Sequence, residues 1–272
     1  MRKLGIIGCG KMATSIIKGL VTSGHLPSHA IIVSDVSYEQ CTSVQQEFSV
    51  AIASDNSKVC ESDVIILAIK PQTMKNVLTE IAPTILQHKP LIISIVAGWT
   101  IDQIRHFLNN SARIVRCMPN LPAAINSGIT ALYAQSDVDK LEHDKAQQIL
   151  ASVGSTLWLE KEDQMNAVTA LSGSGPAYFF YLMEHMIQAG QSLGFNEALC
   201  RQLVVETALG AARLAASNTI SPAELRRSVT SPAGTTEAAL REFDQHAMSK
   251  TIQQGIQAAY HRSIELSKIT EV

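Results

Sequence analysis

Over the first 160 residues, short runs of Val, Ile and Leu alternate with longer segments of helical period, and this alternation most constrains the fold. The apolar runs occupy residues 3–8, 31–34, 64–68, 91–95, 113–117, 129–133 and 156–159, and helical segments at 12–23, 38–48, 72–81 and 140–153 lie between most of them. A strand apolar at nearly every position is buried on both faces, and strands joined through helices pair in parallel. The pattern therefore predicts a parallel sheet covered by helices. After about Glu160 the strand signals stop and long Ala-rich helices are expected at 177–193, 197–216 and 247–268. In the second of these, Leu203, Ala208, Ala211, Ala212 and Ala215 leave room for close helix approach. Ser221, Pro222 and Glu224 form a capping box that opens a short helix toward Val229. The aromatic string from Tyr178 to Tyr181 points around a whole helical turn, so that helix is expected to be buried on several sides, partly by another subunit.

Charge and composition narrow the function classes. Across 272 residues, 22 Lys and Arg face 24 Asp and Glu without a block of either sign, so no footprint for nucleic acid or an anionic membrane is visible. The longest apolar runs fall well short of the roughly 18 residues that a membrane span needs. Met1-Arg2-Lys3 followed by apolar residues resembles a leader, but Gly8, Gly10 and Lys11 interrupt it early. The five cysteines are scattered, with no CxxC pair and no His at ligand spacing, which predicts a reduced, cytoplasmic, metal-free protein. None of the eight histidines stands out as a base, and Pro27 between His25 and His29 argues against one helical face for that pair.

Gly8-Cys9-Gly10-Lys11-Met12-Ala13 follows the first strand and opens the first helix. In that setting G-x-G-x-x-A is a dinucleotide turn: Gly8 permits the sharp bend, Gly10 lets a pyrophosphate approach, and Ala13 lets the helix pack on the strand. Lys11 and Met12 complete the helix start whose N–H groups face the phosphates. Asp35, at the end of the second strand, has the expected spacing for the acid that binds the adenosine ribose, about 20 residues beyond the turn. Its charge opposes a 2′-phosphate and no Arg follows it, which favours NADH over NADPH, although nearby Lys58 remains a candidate for such a phosphate. The expected architecture is an α/β Rossmann-type parallel sheet domain over 1–160, followed by an all-α substrate-binding and dimerisation domain over 161–272.

Specific strings then appear in order along the chain. They are Ala68-Ile69-Lys70-Pro71, Ser94-Ile95-Val96-Ala97-Gly98, Arg116-Cys117-Met118-Pro119-Asn120, Leu171-Ser172-Gly173-Ser174-Gly175-Pro176-Ala177-Tyr178, and 229–240 containing Ser231-Pro232-Ala233-Gly234-Thr235-Thr236. Together they resemble the landmarks of the pyrroline-5-carboxylate reductase family, from residue 3 to about 268. The resemblance implies NAD(P)H-dependent reduction of 1-pyrroline-5-carboxylate to L-proline, the last step of proline biosynthesis, by a homodimer or ring of dimers. It implies a cofactor set of Gly8, Gly10, Lys11, Met12, Ala13, Asp35, Asn56, Ala68, Lys70, Pro71, Ala97 and Asn120. The implied substrate set is Ser174, Ser231, Gly234, Thr235 and Thr236, with Thr236 and Lys70 in the chemistry. Two positions depart from the family pattern: Ala233 replaces a usual Gly, straining the loop if φ there is positive, and Asp35 replaces a neutral or basic residue of NADPH-preferring relatives.

Reduction of a cyclic imine needs a hydride on the ring carbon and a proton on nitrogen, with alignment and a hydroxyl near the nitrogen as the protein's contribution. The resemblance sets Thr236 against the imine as the first choice for that hydroxyl; read from its own surroundings, the same residue is a candidate helix N-cap. Ser231 and the N–H groups of Gly234 and Thr235 are expected to receive the substrate carboxylate. Lys70 follows a strand at the carboxyl end of the sheet, where its cation attracts the carboxylate or a cofactor group. Asn120 holds either the nicotinamide amide or its own turn. Two other readings fit parts of the pattern: a β-hydroxyacid dehydrogenase relative, and a non-catalytic NAD(P)-binding regulator.

Overall fold

A computed structural model describes residues 3–110, 112–217 and 219–269; Met1 and Arg2, the start of the leader-like string, lie outside them. The chain divides into two compact units, one of residues 1–174 with 259–272, the other of residues 175–258.

The first unit is built on β1 (Leu4–Ile7), β2 (Ile31–Ser34), β3 (Ala51–Ile52), β4 (Val64–Leu67), β5 (Leu91–Ser94), β6 (Arg113–Met118), β7 (Gly128–Ala134) and β8 (Gly154–Trp158). Among the described residues these form one sheet in the order β3-β2-β1-β4-β5-β6-β7-β8. Its helices are α1 (Lys11–Thr22), α2 (Tyr38–Phe48), α3 (Asn56–Val59), α4 (Met74–His88), α5 (Ile101–Phe107), α6 (Lys140–Ala151) and α7 (Gln164–Val168). Alternate strand residues face opposite sides. Leu4, Ile6, Val64 and Ile66 pack with Ile16, Ile17 and Leu20 of α1, Val44 of α2 and Ile149 of α6. Ile7, Ile65 and Leu67 pack instead with Val59 of α3, Leu78 and Ile81 of α4 and Ile104 of α5. Helices thus cover both faces, and each fully buried Ile or Leu contributes roughly 1.5–3 kcal/mol of transfer free energy.

Several expectations are corrected. The sheet is parallel except at β6–β7, which pair antiparallel, because the connection between them is too short for the crossover a parallel neighbour needs. The edge strand β3 is too short to show a period, and α5 was not expected, although Thr100 and Gln103 spell its capping box. The helix expected over 72–81 runs as α4 through Pro83 to His88, because Ala82 and Ile85 keep its buried face continuous.

The sheet ends at Trp158, yet the first unit continues through α7 and a π-helical turn, Thr169–Gly173, to Ser174. Buried Arg116 of β6 donates to Glu162 (2.9 Å), which also accepts the N–H of Ile101 at the start of α5 (2.8 Å). The residues from 259 onward are stapled to this unit: Ser263 donates to Asn166 (2.8 Å), and Gln103 donates to the carbonyl of Ser267 (2.9 Å).

The second unit comprises α8 (Gly175–Ser192), α9 (Glu197–Ser217), α10 (Pro222–Ser228), α11 (Thr235–Gln245) and the first part of α12 (Met248–Ile269). The capping box of α10 is present as expected: Ser221 Oγ accepts the N–H of Glu224 (3.3 Å), and Glu224 accepts the N–H of Ser221 (2.9 Å). α8 and α9 pack closely where Gly190 meets Cys200, since a Cβ at Gly190 would lie 2.7 Å from the Cys200 sulfur. The two hydrophobic core clusters lie wholly in the first unit. In the single chain Phe179 is 65% exposed, Phe180 54% and Tyr181 65%, which leaves open the share of burial expected from another subunit. So much apolar surface on one set of helices marks an interaction face.

Candidate active site

In the first unit the site is organised where the strand order reverses, at the carboxyl ends of β1 and β4, the crevice in which open α/β sheets bind ligands. The Gly8 N–H donates to Ser34 O (2.7 Å) and the Ala68 N–H to Ile7 O (2.8 Å), tying the ends of β1, β2 and β4 together. Gly8 has φ +104°, and a Cβ there would sit 2.4 Å from the Ala68 carbonyl oxygen, so only glycine fits. Gly10 differs: a Cβ would meet nothing within 4 Å, leaving open space above the turn. Gly10 caps α1 without a side-chain partner, and the first intrahelical bond is Thr14 N–H to Gly10 O (3.0 Å). The N–H groups of Lys11, Met12 and Ala13 thus have no acceptor in the helix, an arrangement that receives phosphate oxygens. This cradle fits a dinucleotide pyrophosphate.

Asp35 holds the turn as well as facing the crevice. Its carboxylate accepts the Cys9 N–H (2.7 Å) and the Ser37 N–H (2.8 Å), leaving two of about four lone-pair positions for ribose hydroxyls. Asn56 accepts from Ser34 Oγ (2.7 Å) and donates to Glu80 (2.9 Å), which fixes it beside the end of β2. Lys58 is drawn aside into an exposed ion pair with Glu61 (2.8 Å), whose hydrogen bond and charge raise the lysine pKa. Cys9, in the turn itself, lies 3.7 Å from Cys41 sulfur to sulfur, and burial pushes its thiol far up. It is a packing residue.

Lys70 is exposed and follows β4. Its carbonyl accepts the N–H (3.0 Å) and hydroxyl (2.9 Å) of Thr73, and the Pro71 carbonyl accepts the Trp99 indole N–H (3.0 Å). These bonds brace the loop after β4 against the Ala97-Gly98-Trp99 loop after β5. Among the described residues the Lys70 ammonium has no ion-pair partner. Asn120 is engaged within the fold: it accepts the Ile129 N–H (2.9 Å) and donates to Ser172 O (3.3 Å), joining β7 to the π turn. These bonds tie the Asn120 side chain to distant segments of the first unit rather than to its own turn. Ser174 ends the π turn, its N–H bonded to Thr169 O (2.8 Å). Such turns inside helical segments are frequent at functional sites.

In the second unit, Ser231, Gly234, Thr235 and Thr236 are brought together at the start of α11. Gly234 is the N-cap, so Thr236 sits one residue inside the first turn and is not the cap. Among the described residues its half-buried hydroxyl makes no hydrogen bond. Ala233 has φ +58°, the left-handed backbone that its family substitution puts under strain, at a cost of about 1–2 kcal/mol for a residue with a Cβ. The Gly234 N–H donates to Ser231 O (3.0 Å) and is therefore not the open donor expected. A Cβ at Gly234 would lie 2.4 Å from Ser231 Oγ and 3.0 Å from Ser231 O, so the turn is tight there and a larger residue would have to displace the serine. The first helical bond is Ala238 N–H to Gly234 O (3.1 Å), which leaves the N–H groups of Thr235, Thr236 and Glu237 open to an anion. Glu237 joins this constellation by accepting the Ala233 N–H at 2.6 Å. The sequence carries a signal for it, an acid at the third helical position.

A cavity of about 600 Å3 beside His88, Arg113 and Glu142 lies at the opposite, amino ends of β4–β6 and takes no part in this site.

The family models named "Pyrroline-5-carboxylate reductase dimerisation" and "NADP oxidoreductase coenzyme F420-dependent" match residues 162–266 and 3–98. A pyrroline-5-carboxylate reductase of Pseudomonas aeruginosa is 43% identical over 267 residues, covering 98% of this chain and 97% of its own. The chain belongs to the pyrroline-5-carboxylate reductase family. The solved structure of a pyrroline-5-carboxylate reductase from Coxiella burnetii superposes with a TM-score of 0.91 at 36% identity, covering 98% of both chains. That of the Plasmodium falciparum enzyme, with NADP bound, gives 0.88 at 26% identity, covering 97% of this chain and 98% of its own. Family membership decides against a β-hydroxyacid dehydrogenase.

Proposed function

We propose that this chain reduces 1-pyrroline-5-carboxylate to L-proline with NAD(P)H in the cytoplasm, as a homodimer or ring of dimers. The observation that carries the reading is the open start of α11: a glycine cap, with three N–H groups and a Thr236 hydroxyl that have no hydrogen-bond partner among the described residues. That combination suits a small ligand bearing a carboxylate beside a basic nitrogen.

A dinucleotide bound at the Gly8–Ala13 turn would supply the hydride for the imine carbon. Gly10 and the N–H groups of Lys11, Met12 and Ala13 receive its pyrophosphate, and Asp35 receives the adenosine ribose beside Asn56. Asp35 favours NADH, since its charge repels a 2′-phosphate and Lys58 is held by Glu61. Ala68, Pro71, Ala97 and Asn120 would border a bound nicotinamide, and the Lys70 cation draws anionic groups toward the carboxyl end of β4. The Thr235 N–H and its two successors hold the substrate carboxylate in a turn shaped by Ser231 and Gly234, and Ser174, in the first unit, is a further candidate for the substrate. Thr236 Oγ1 hydrogen-bonds the imine nitrogen, so that the proton stays on nitrogen while the adjacent carbon takes the hydride.

Residues 1–160 serve the cofactor, and 161–272 serve the substrate and the subunit contact. The exposed aromatic face of α8 supports that contact. Consumption of NADH and of NADPH with pyrroline-5-carboxylate tests the reading, with proline as the expected product. Binding of dinucleotide without turnover would instead make the chain a regulator. Light scattering at micromolar concentration tests the assembly, and a monomer would remove it.

A further inference from the structure

The described turn sorts its backbone donors into two sets. Two consecutive N–H groups point inward and are satisfied, Ala233 by the Glu237 carboxylate (2.6 Å) and Gly234 by Ser231 O (3.0 Å), while the next three are left open. The inward set exists because Ala233 adopts φ +58°, a conformation that a residue with a Cβ resists. In an ordinary capping box the acid at the third helical position takes the N–H of the cap residue. Here that N–H is already bonded to Ser231, and Glu237 reaches one residue further back, onto the strained alanine.

We propose that Glu237 is a positioning residue for substrate binding: its hydrogen bond to Ala233 keeps the turn left-handed, and so keeps the three outward N–H groups aimed at the substrate carboxylate. The inference rests on the function proposed above. Without Glu237 the Ala233 backbone relaxes toward its ordinary conformations, the binding-competent turn becomes a minor population, and apparent affinity falls by that fraction. The chemical step on molecules that do bind is untouched, because Glu237 contacts neither imine nor nicotinamide in this role.

The test is steady-state kinetics on Glu237→Ala, Glu237→Gln and the double variant Ala233→Gly with Glu237→Ala. Glu237→Ala is expected to raise KM for pyrroline-5-carboxylate about tenfold, as for a competent population reduced to about one tenth, with kcat and KM for the dinucleotide within about twofold. Glu237→Gln keeps a carbonyl acceptor and should restore KM to within about threefold of the parent. The double variant should recover most of the lost affinity, because glycine takes a positive φ without strain. It also carries the test if Glu237→Ala alone fails to fold. An unchanged KM in Glu237→Ala, a Gln variant as impaired as Ala, or a double variant no better than Glu237→Ala would overturn the proposal. A parent protein that never turns over the imine overturns the functional reading together with it, whereas normal parent turnover with an unmoved KM overturns the role of Glu237 alone.

Discussion

Replacing Thr236 by alanine separates a catalytic hydroxyl from a structural one. A helix N-cap threonine would lose about 1 kcal/mol of stability on this change. Thr236, however, lies inside the first turn, behind a glycine cap, and its hydroxyl has no hydrogen bond among the described residues. With no bond to lose, the remaining term is intrinsic helix preference, which favours alanine by about 0.5 kcal/mol. The melting temperature should therefore hold or rise slightly. Activity should fall. General acid assistance is typically worth about 10²–10⁴-fold, and a neutral hydroxyl belongs at or below the lower end. We expect kcat/KM for the imine to drop about 10- to 100-fold, roughly 1.4–2.7 kcal/mol of transition-state stabilisation, with dinucleotide affinity nearly unchanged. Thr236→Ser should recover most of the rate. Near-normal turnover in the alanine variant together with a lowered melting temperature would refute the assignment.

The two turn glycines should respond in opposite ways. Gly8→Ala drives a Cβ against the Ala68 carbonyl at a positive φ and should cost about 3 kcal/mol in denaturant titration. Gly10→Val enters open space, so the denaturation midpoint should hold while calorimetry shows dinucleotide binding lost. Ala233→Gly relieves the left-handed strain, offset in part by the freer unfolded chain, and should stabilise by about 0.5–1 kcal/mol in a melting curve; destabilisation would show that the positive φ carries no strain. Asp35→Ser should raise the NADPH to NADH ratio of kcat/KM, and a parent that strongly prefers NADPH would refute the charge argument. Burial pushes the Cys60 thiol up to about 12. Its folded pKa lies above its unfolded value, so its contribution to stability is complete below about pH 8.5 and is lost as pH rises toward 12. At neutral pH a thiol reagent should label it only in unfolded protein, and rapid native labelling would contradict the burial.

Local chemistry made much of this protein legible in its sequence. A strand must show its period to be read: β1, β2, β4, β5 and β6 do so, whereas two-residue β3 does not. The glycine turn is legible because Gly8 and Gly10 are needed by backbone geometry that neighbouring residues set, and the box at Ser221 closes over three residues. The end of the sheet at Trp158 likewise follows from the change of hydrophobic period near residue 160, whereas the first compact unit runs on to Ser174. What depends on partners distant in sequence was decided only by the tertiary structure. Asp35 reads as a ribose ligand, yet its position also depends on the Cys9 N–H, and Asn120 is committed to Ile129 and to Ser172 of a later turn. Which N–H groups at α11 remain open turns on a φ of +58° at Ala233 and on the reach of Glu237, neither of which a residue string encodes. The antiparallel β7 and the exposed aromatic face of α8 belong with these: periodicity shows that a residue needs a neighbour, but the folded chain alone decides which neighbour it receives.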